Sequence, residues 1–83
     1  MNNLQVAIEF FNSKRSKTKV TRDEYIDHVR WNASGKDHTF DNYRLYLTKA
    51  GYLSKTKDVG VYQVNKKIPN SLSLKELYKK SYG

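Results

Sequence analysis

Eighty-three residues make one domain, and a domain of this length buries only about 60 to 65% of the surface its unfolded chain exposes, so the core is small. The absence of cysteine excludes a disulfide framework and thiolate zinc sites, which leaves packing to stabilise the fold. Sixteen Lys and Arg against eight Asp and Glu give a net charge of +8, which suits a polyanionic partner, with a solvated basic surface as the plainer explanation.

Leu4, Ala7, Ile8 and Phe11 recur at helical spacing, and Asn2 or Asn3 is placed to cap a first helix ending near Asn12 and Ser13. "SKRSKTK" follows as a basic loop, and the β-branched residues of "TKVT" fit a very short strand. Thr21 with Glu24 three residues later is a capping box, and Val20 can staple onto Tyr25, so a second helix starts at Thr21. Its buried stripe is Tyr25, Ile26, Val29 and Ala33, with Gly35 placed to stop it.

"SGKDHT" reads as a turn of about half a dozen residues, after which Asp37 or Thr39 caps a third helix. That helix buries Phe40, Tyr43, Leu47 and Ala50 and ends at Gly51, which takes a left-handed conformation at little cost. Its opposite side carries Asp41, Asn42, Leu45 and Lys49, with Tyr46 on the flank, an odd set to offer to water. "YLSKTKDVGVYQVNKKI" then changes to period two: Tyr62 and Val64 share one face, Val61 and Gln63 the other, and "KDVG" turns a lysine-tipped hairpin. After Pro69, Ser73 and Glu76 form a second capping box with Leu72 stapling onto Leu77, for a short closing helix that carries Leu74, Leu77 and Tyr78.

This order of helix, short strand, helix, turn, helix and basic hairpin, with "NYRLYLTKAGYL" followed by "GVYQV", resembles the winged helix-turn-helix family over nearly the whole chain. The resemblance implies an α+β fold of three helices, a two- or three-stranded antiparallel wing sheet and a short C-terminal helix. It also implies that the third helix enters the major groove of double-stranded DNA while the wing touches the backbone or minor groove. The turn before the third helix is longer than the three to four residues of the tightest such units. The base-reading candidates are His38, Thr39, Asn42, Leu45, Tyr46 and Lys49: the Asn42 amide matches adenine and Leu45 a thymine methyl. Lys14, Arg15, Lys17 and Lys19 of the helix-one loop and Lys55 and Lys57 of the wing are phosphate candidates, because lysine and arginine release condensed counterions whatever the base sequence. The Lys-, Asn- and Tyr-rich composition also resembles that of small proteins of AT-rich phages. The expected role is a small transcriptional or DNA-associated regulator.

Two other readings remain open. The same fold can bind a protein through Leu45, Tyr46 and Trp31; Trp31 lies off the helix-two stripe and either packs under "SGKDHT" or presents an aromatic to a partner. Alternatively, Tyr46 and Tyr62 can stack on the bases of RNA or a single strand. Catalysis finds no constellation: His28 and His38 lack a partner at metal-ligand spacing. "SGKD" fails as a phosphate loop because Arg30 takes the first glycine's place and Asp37 follows the lysine where Ser or Thr belongs. "NAS" at 32 to 34 matches a glycosylation sequon by chance, since nothing sends the chain to a secretory compartment. No enzyme activity, cofactor, metal or small-molecule substrate is therefore expected. No apolar run approaches the roughly 20 residues of a membrane span, and the N-terminus lacks the features of a signal peptide, so the expected location is the cytoplasm, or that of a host cell if the chain is phage-encoded.

Overall fold

The computed structural model describes residues 2 to 82. They form α1 (Asn3–Asn12), β1 (Lys19–Thr21), α2 (Arg22–Asn32), α3 (Asp37–Lys49), β2 (Leu53–Lys55), β3 (Val61–Val64) and α4 (Leu74–Tyr82). Short polar side chains set most of the helix starts. Asn2 accepts the Gln5 N–H at 2.8 Å, and the Gln5 side chain accepts the Asn2 N–H in return. Thr21 Oγ1 accepts the Glu24 N–H at 3.1 Å, the forward half of its capping box only, and Ser73 Oγ accepts that of Glu76 at 3.2 Å. Gly51 ends α3 with φ at +92°, as expected.

The core is aromatic because three helices meet at α1. Val6 and Phe10 join Leu4, Ala7, Ile8 and Phe11 inside, since α1 packs on both α2 and α3. Phe11 and Tyr25 stand 4.9 Å apart between ring centres, with Phe10 at 5.6 Å and Phe40 at 6.3 Å from Tyr25. Burial also requires a partner for the Tyr25 hydroxyl, which donates to the Phe40 carbonyl at 2.7 Å, and burial pushes the Tyr25 pKa far above the usual tyrosine range.

Several expectations around this core need correction. Gly35 does not stop α2, which ends at Asn32; its role is close approach, since a Cβ there would lie 2.8 Å from both Phe40 Cε2 and Asn3 Nδ2. Neither Asp37 nor Thr39 caps α3. Lys36 is the N-cap and makes no side-chain capping bond, while Asp37 opens the helix and pairs with Arg30. The connection between α2 and α3 is therefore residues 33 to 36, four rather than half a dozen, and as short as the tightest helix-turn-helix units. Trp31 does not pack under that turn and is 88% exposed. In α4 only Leu77 is buried; Leu74 and Tyr78 are 44% and 53% exposed, because the helix docks on α3 by a narrow stripe.

The sheet has order β1-β3-β2, with Val20 opposite Tyr62, Lys55 opposite Tyr62 and Leu53 opposite Val64. Directly opposed residues share a face. Val20, Leu53 and Val64 thus make the buried face, and Lys19, Gln63 and Ser54 the outer one. The chain after β3 is held by Asn12, whose side chain donates to the Ile68 carbonyl at 2.7 Å and accepts its N–H at 2.8 Å, as a neighbouring strand would.

One ion-paired knot joins α2, α3 and the wing. A helical wheel puts Asp41 on the open side of α3. In the fold its carboxylate instead receives Arg22 through two bonds of 2.9 and 2.7 Å and lies 3.5 Å from Arg44. The Arg44 guanidinium stacks 4.5 Å from the centre of the Tyr62 ring, and the Arg22 backbone N–H donates to Gly60 of the wing turn at 2.8 Å. The hydrogen bond from Arg22, helped by the charges of Arg22 and Arg44, holds the Asp41 carboxyl below its ordinary value against the opposing effect of burial.

These ties set the expected order of stability losses. Asn12→Ala strands both backbone groups of buried Ile68 and costs about 1 to 3 kcal/mol, against about 1 kcal/mol for loss of the Thr21 cap in Thr21→Ala. In thermal melts both midpoints fall by several degrees, with Asn12→Ala at least as low; the reverse order would mean that the Ile68 segment is held by other groups. For Asp41, a carboxyl held low in the fold stabilises it above the unfolded value near pH 4, and that stabilisation is lost as pH falls through the lower folded value. Melting temperature accordingly drops on acidification below about pH 4, and Asp41→Asn flattens the drop more than Asp37→Asn, whose pair with Arg30 is more exposed. Equal slopes for the two variants would remove Asp41 from that role.

Candidate nucleic-acid interface

A rotation of 100° per residue divides α3 into four sides. Phe40 and Leu47 point into the core with Tyr43 half-buried beside them. On one flank Asp41 and Arg44 face Arg22 and Tyr62. On the other, Tyr46 meets α4: its ring lies 5.7 Å from Tyr78 and 6.0 Å from Tyr82, and the Ser81 hydroxyl donates to the Tyr46 carbonyl at 2.9 Å. The remaining side is a strip of His38, Asn42, Leu45 and Lys49, in which Leu45 is half-buried and the other three are exposed.

The candidate base-reading residues therefore separate. His38, Asn42, Leu45 and Lys49 share the strip, with the Lys49 ammonium 4.3 Å from the centre of the Tyr82 ring. Thr39 and Tyr46 are half-buried off the strip, and α4 covers Tyr46. At the start of α3, the Arg30 guanidinium holds the Asp37 carboxyl below the usual carboxylate range.

The candidate phosphate residues also separate. Lys55 pairs with Tyr62, beside Arg44, so it lies on the α3 side of the sheet, and Lys57 is exposed in the turn of residues 56 to 60. Lys19 pairs with Gln63 on the outer face. Lys14, Arg15 and Lys17 lie at the other end of β3 from that turn: Lys17 donates its N–H to the Val64 carbonyl at 2.6 Å, and Ser16 its hydroxyl to Asn65. Lys17 closes this loop in the left-handed region, at φ +71°, where a side chain costs about 1 kcal/mol. The Lys14 ammonium stands 5.1 Å from the centre of the Phe10 ring.

Sequence reasoning missed Arg44, whose side chain is only 15% exposed and whose Nε has no partner. Its spacing from Asp41, i to i+3, was the available signal. Of the two histidines, His28 packs 5.0 Å from Phe10 and His38 is exposed. No helix among the described residues is long and apolar enough to cross a membrane. Comparison of the chain with protein-family models, with curated proteins and with solved structures finds no match.

Proposed function

We propose that this chain is a winged helix-turn-helix-like domain that binds double-stranded DNA as a small DNA-associated or transcriptional regulator. The observation that carries the proposal is the free strip on α3, which offers an amide, an ammonium, an imidazole and a methyl-bearing side chain along one line, with Lys55 of the neighbouring sheet edge on the Arg44 flank of the same helix. Asn42 supplies the directional pair for adenine, Leu45 an apolar contact to a thymine methyl, His38 and Lys49 further polar contacts, and Lys55 and Lys57 the phosphate contacts. The four-residue connection before α3 adds support, since it matches the short turn of helix-turn-helix units. Base stacking by Tyr46 or Tyr62 has less room, with Arg44 over one ring and α4 against the other. A protein partner is the second reading, favoured by the 88% exposure of Trp31 on α2.

Reading and holding use different chemistry and fail differently. Asn42→Ala costs about 1 to 3 kcal/mol on a preferred duplex and little on random DNA. Removing Lys55 and Lys57 weakens both duplexes alike and lowers the slope of log K against log salt by roughly 0.9 for each ammonium group taken from a phosphate. Competition titrations of both variants on both DNAs decide the matter. Equal losses on the two duplexes for Asn42→Ala would end sequence reading by this residue, and a flat salt response of the unmutated chain would transfer the function to a protein partner.

A further inference from the structure

Past its last turn the α3 strip runs into a concavity of a different kind. Buried Tyr52 forms its floor and Ala50 one side, while Lys66, after β3, and Lys79 and Lys80 of α4 line the rest. The Lys80 ammonium donates to the Tyr52 hydroxyl at 3.0 Å, and the Lys66 and Lys80 ammonium groups stand 5.0 and 5.7 Å from the centre of the same ring. The ion pairs among the described residues all use arginine, so no carboxylate of those residues pairs with these lysines, and Glu76, one turn before Lys80 on α4, is engaged by the Ser73 hydroxyl. Like charges gathered on one side chain repel each other, and the ring offsets only part of that repulsion. An anion between them turns the repulsion into attraction.

We propose that this concavity is a phosphate-binding site that takes the nucleic-acid backbone at the end of α3; the inference rests on the DNA-binding reading above. Asn42 and Lys49 are seven residues apart, about 10 Å along a helix axis, and the major groove is about 12 Å wide. A helix that meets base edges with its N-terminal half therefore brings its C-terminal end to the groove rim, where the phosphates are. Lys66, Lys79 and Lys80 stand at that end, while the wing lysines stand on the flank. Lys14 extends the same ground, since it lines a neighbouring groove with Lys66 and Lys67. Spread ammonium groups on flexible stems suit a chain of phosphates better than one caged ion. A lipid surface fits less well, because Tyr52 is buried and Ala50 is small, so nothing in the concavity inserts among acyl chains.

The test is a titration of the full-length, nitrogen-15-labelled chain with a duplex of about two helical turns, read from the amide resonances of the strip and of the concavity. Salt slopes are measured in parallel for Lys66→Gln alone, which keeps the Lys80–Tyr52 bond, and for Lys66→Gln with Lys80→Gln. We expect both sets of amides to shift, with the slope reduced by roughly 0.9 in the single variant and about twice that in the double, equally on preferred and random DNA. Shifts confined to the strip with unchanged slopes overturn the inference and leave the DNA-binding reading in place. Shifts confined to the concavity uphold the phosphate site and overturn reading by α3. Absence of shifts in both overturns both. Vesicles of mixed phosphatidylserine and phosphatidylcholine form the last arm: binding that the double variant loses while duplex binding is unchanged overturns the inference in favour of a lipid headgroup.

Discussion

Asp41 sits between two guanidinium groups, and the relation of α3 to the rest of the domain depends on that carboxylate. Arg22 reaches it from the start of α2 and Arg44 from α3 itself, while Arg44 lies over Tyr62 of the central strand and the Arg22 backbone holds the wing turn. A partly exposed ion pair contributes little on its own, on the order of 1 kcal/mol or less. The position of Arg44 changes that arithmetic. Its side chain is 15% exposed, so removing Asp41 would leave a mostly buried cation facing Arg22. The knot therefore acts less as a source of stability than as a device of orientation, fixing which side of α3 faces solvent and where Lys55 stands beside it.

A core this small cannot orient its elements by apolar area alone, and polar groups complete it in several places. Tyr25 fills the centre with its ring and satisfies its hydroxyl on Phe40, which ties α2 to α3 through the interior. Asn12 pairs with Ile68 in the manner of a strand backbone and so anchors the segment that leads to α4. Asn65 does similar work at the end of the hairpin, donating to Ser54 at 2.6 Å and to Gly51 at 3.2 Å. The Tyr25 and Asn12 ties join parts of the chain that local helix or hairpin formation would leave independent, the Asn65 bonds close the open end of the hairpin, and all are directional, so together they favour one arrangement over alternatives of similar burial.

What is legible in the sequence is local. The caps at Thr21 and Ser73, the left-handed Gly51 and the period-two hairpin each depend on residues within a few positions of one another, and each stands where those residues place it. The misreadings involve distance in the chain. Gly35 looks like a helix stop, but its lack of a side chain is required by Phe40 and Asn3. Asp41 and Tyr46 look solvent-facing on a wheel, because a wheel holds no information about Arg22, Tyr78 or Tyr82. The exposure of Leu74 and Tyr78 is equally hidden, since apolar side chains outnumber the places a small core provides, while for Trp31 the sequence leaves packing and exposure both open and the fold exposes it. Of the six residues proposed to read bases, His38, Asn42, Leu45 and Lys49 share one strip, while Thr39 lies off it, half-buried, and Tyr46 lies where α4 docks.

The distribution of charge gives the molecule a direction. Six of the eight acidic residues lie at or before Asp41, and nine basic residues against two acidic ones follow it, so +7 of the net +8 belongs to the second half of the chain. Of those two acids, Glu76 is engaged by Ser73 at the start of α4, and Asp58 lies in the wing turn beside Lys57. The wing tip is thus partly neutralised by its own sequence. The ground around Tyr52 is not. At the C-terminal end of α3, by contrast, Lys49, Lys66, Lys79 and Lys80 gather with no carboxylate of the described residues paired to them. For the proposed DNA-binding role, this asymmetry directs a polyanion toward the end of α3 rather than toward the hairpin tip.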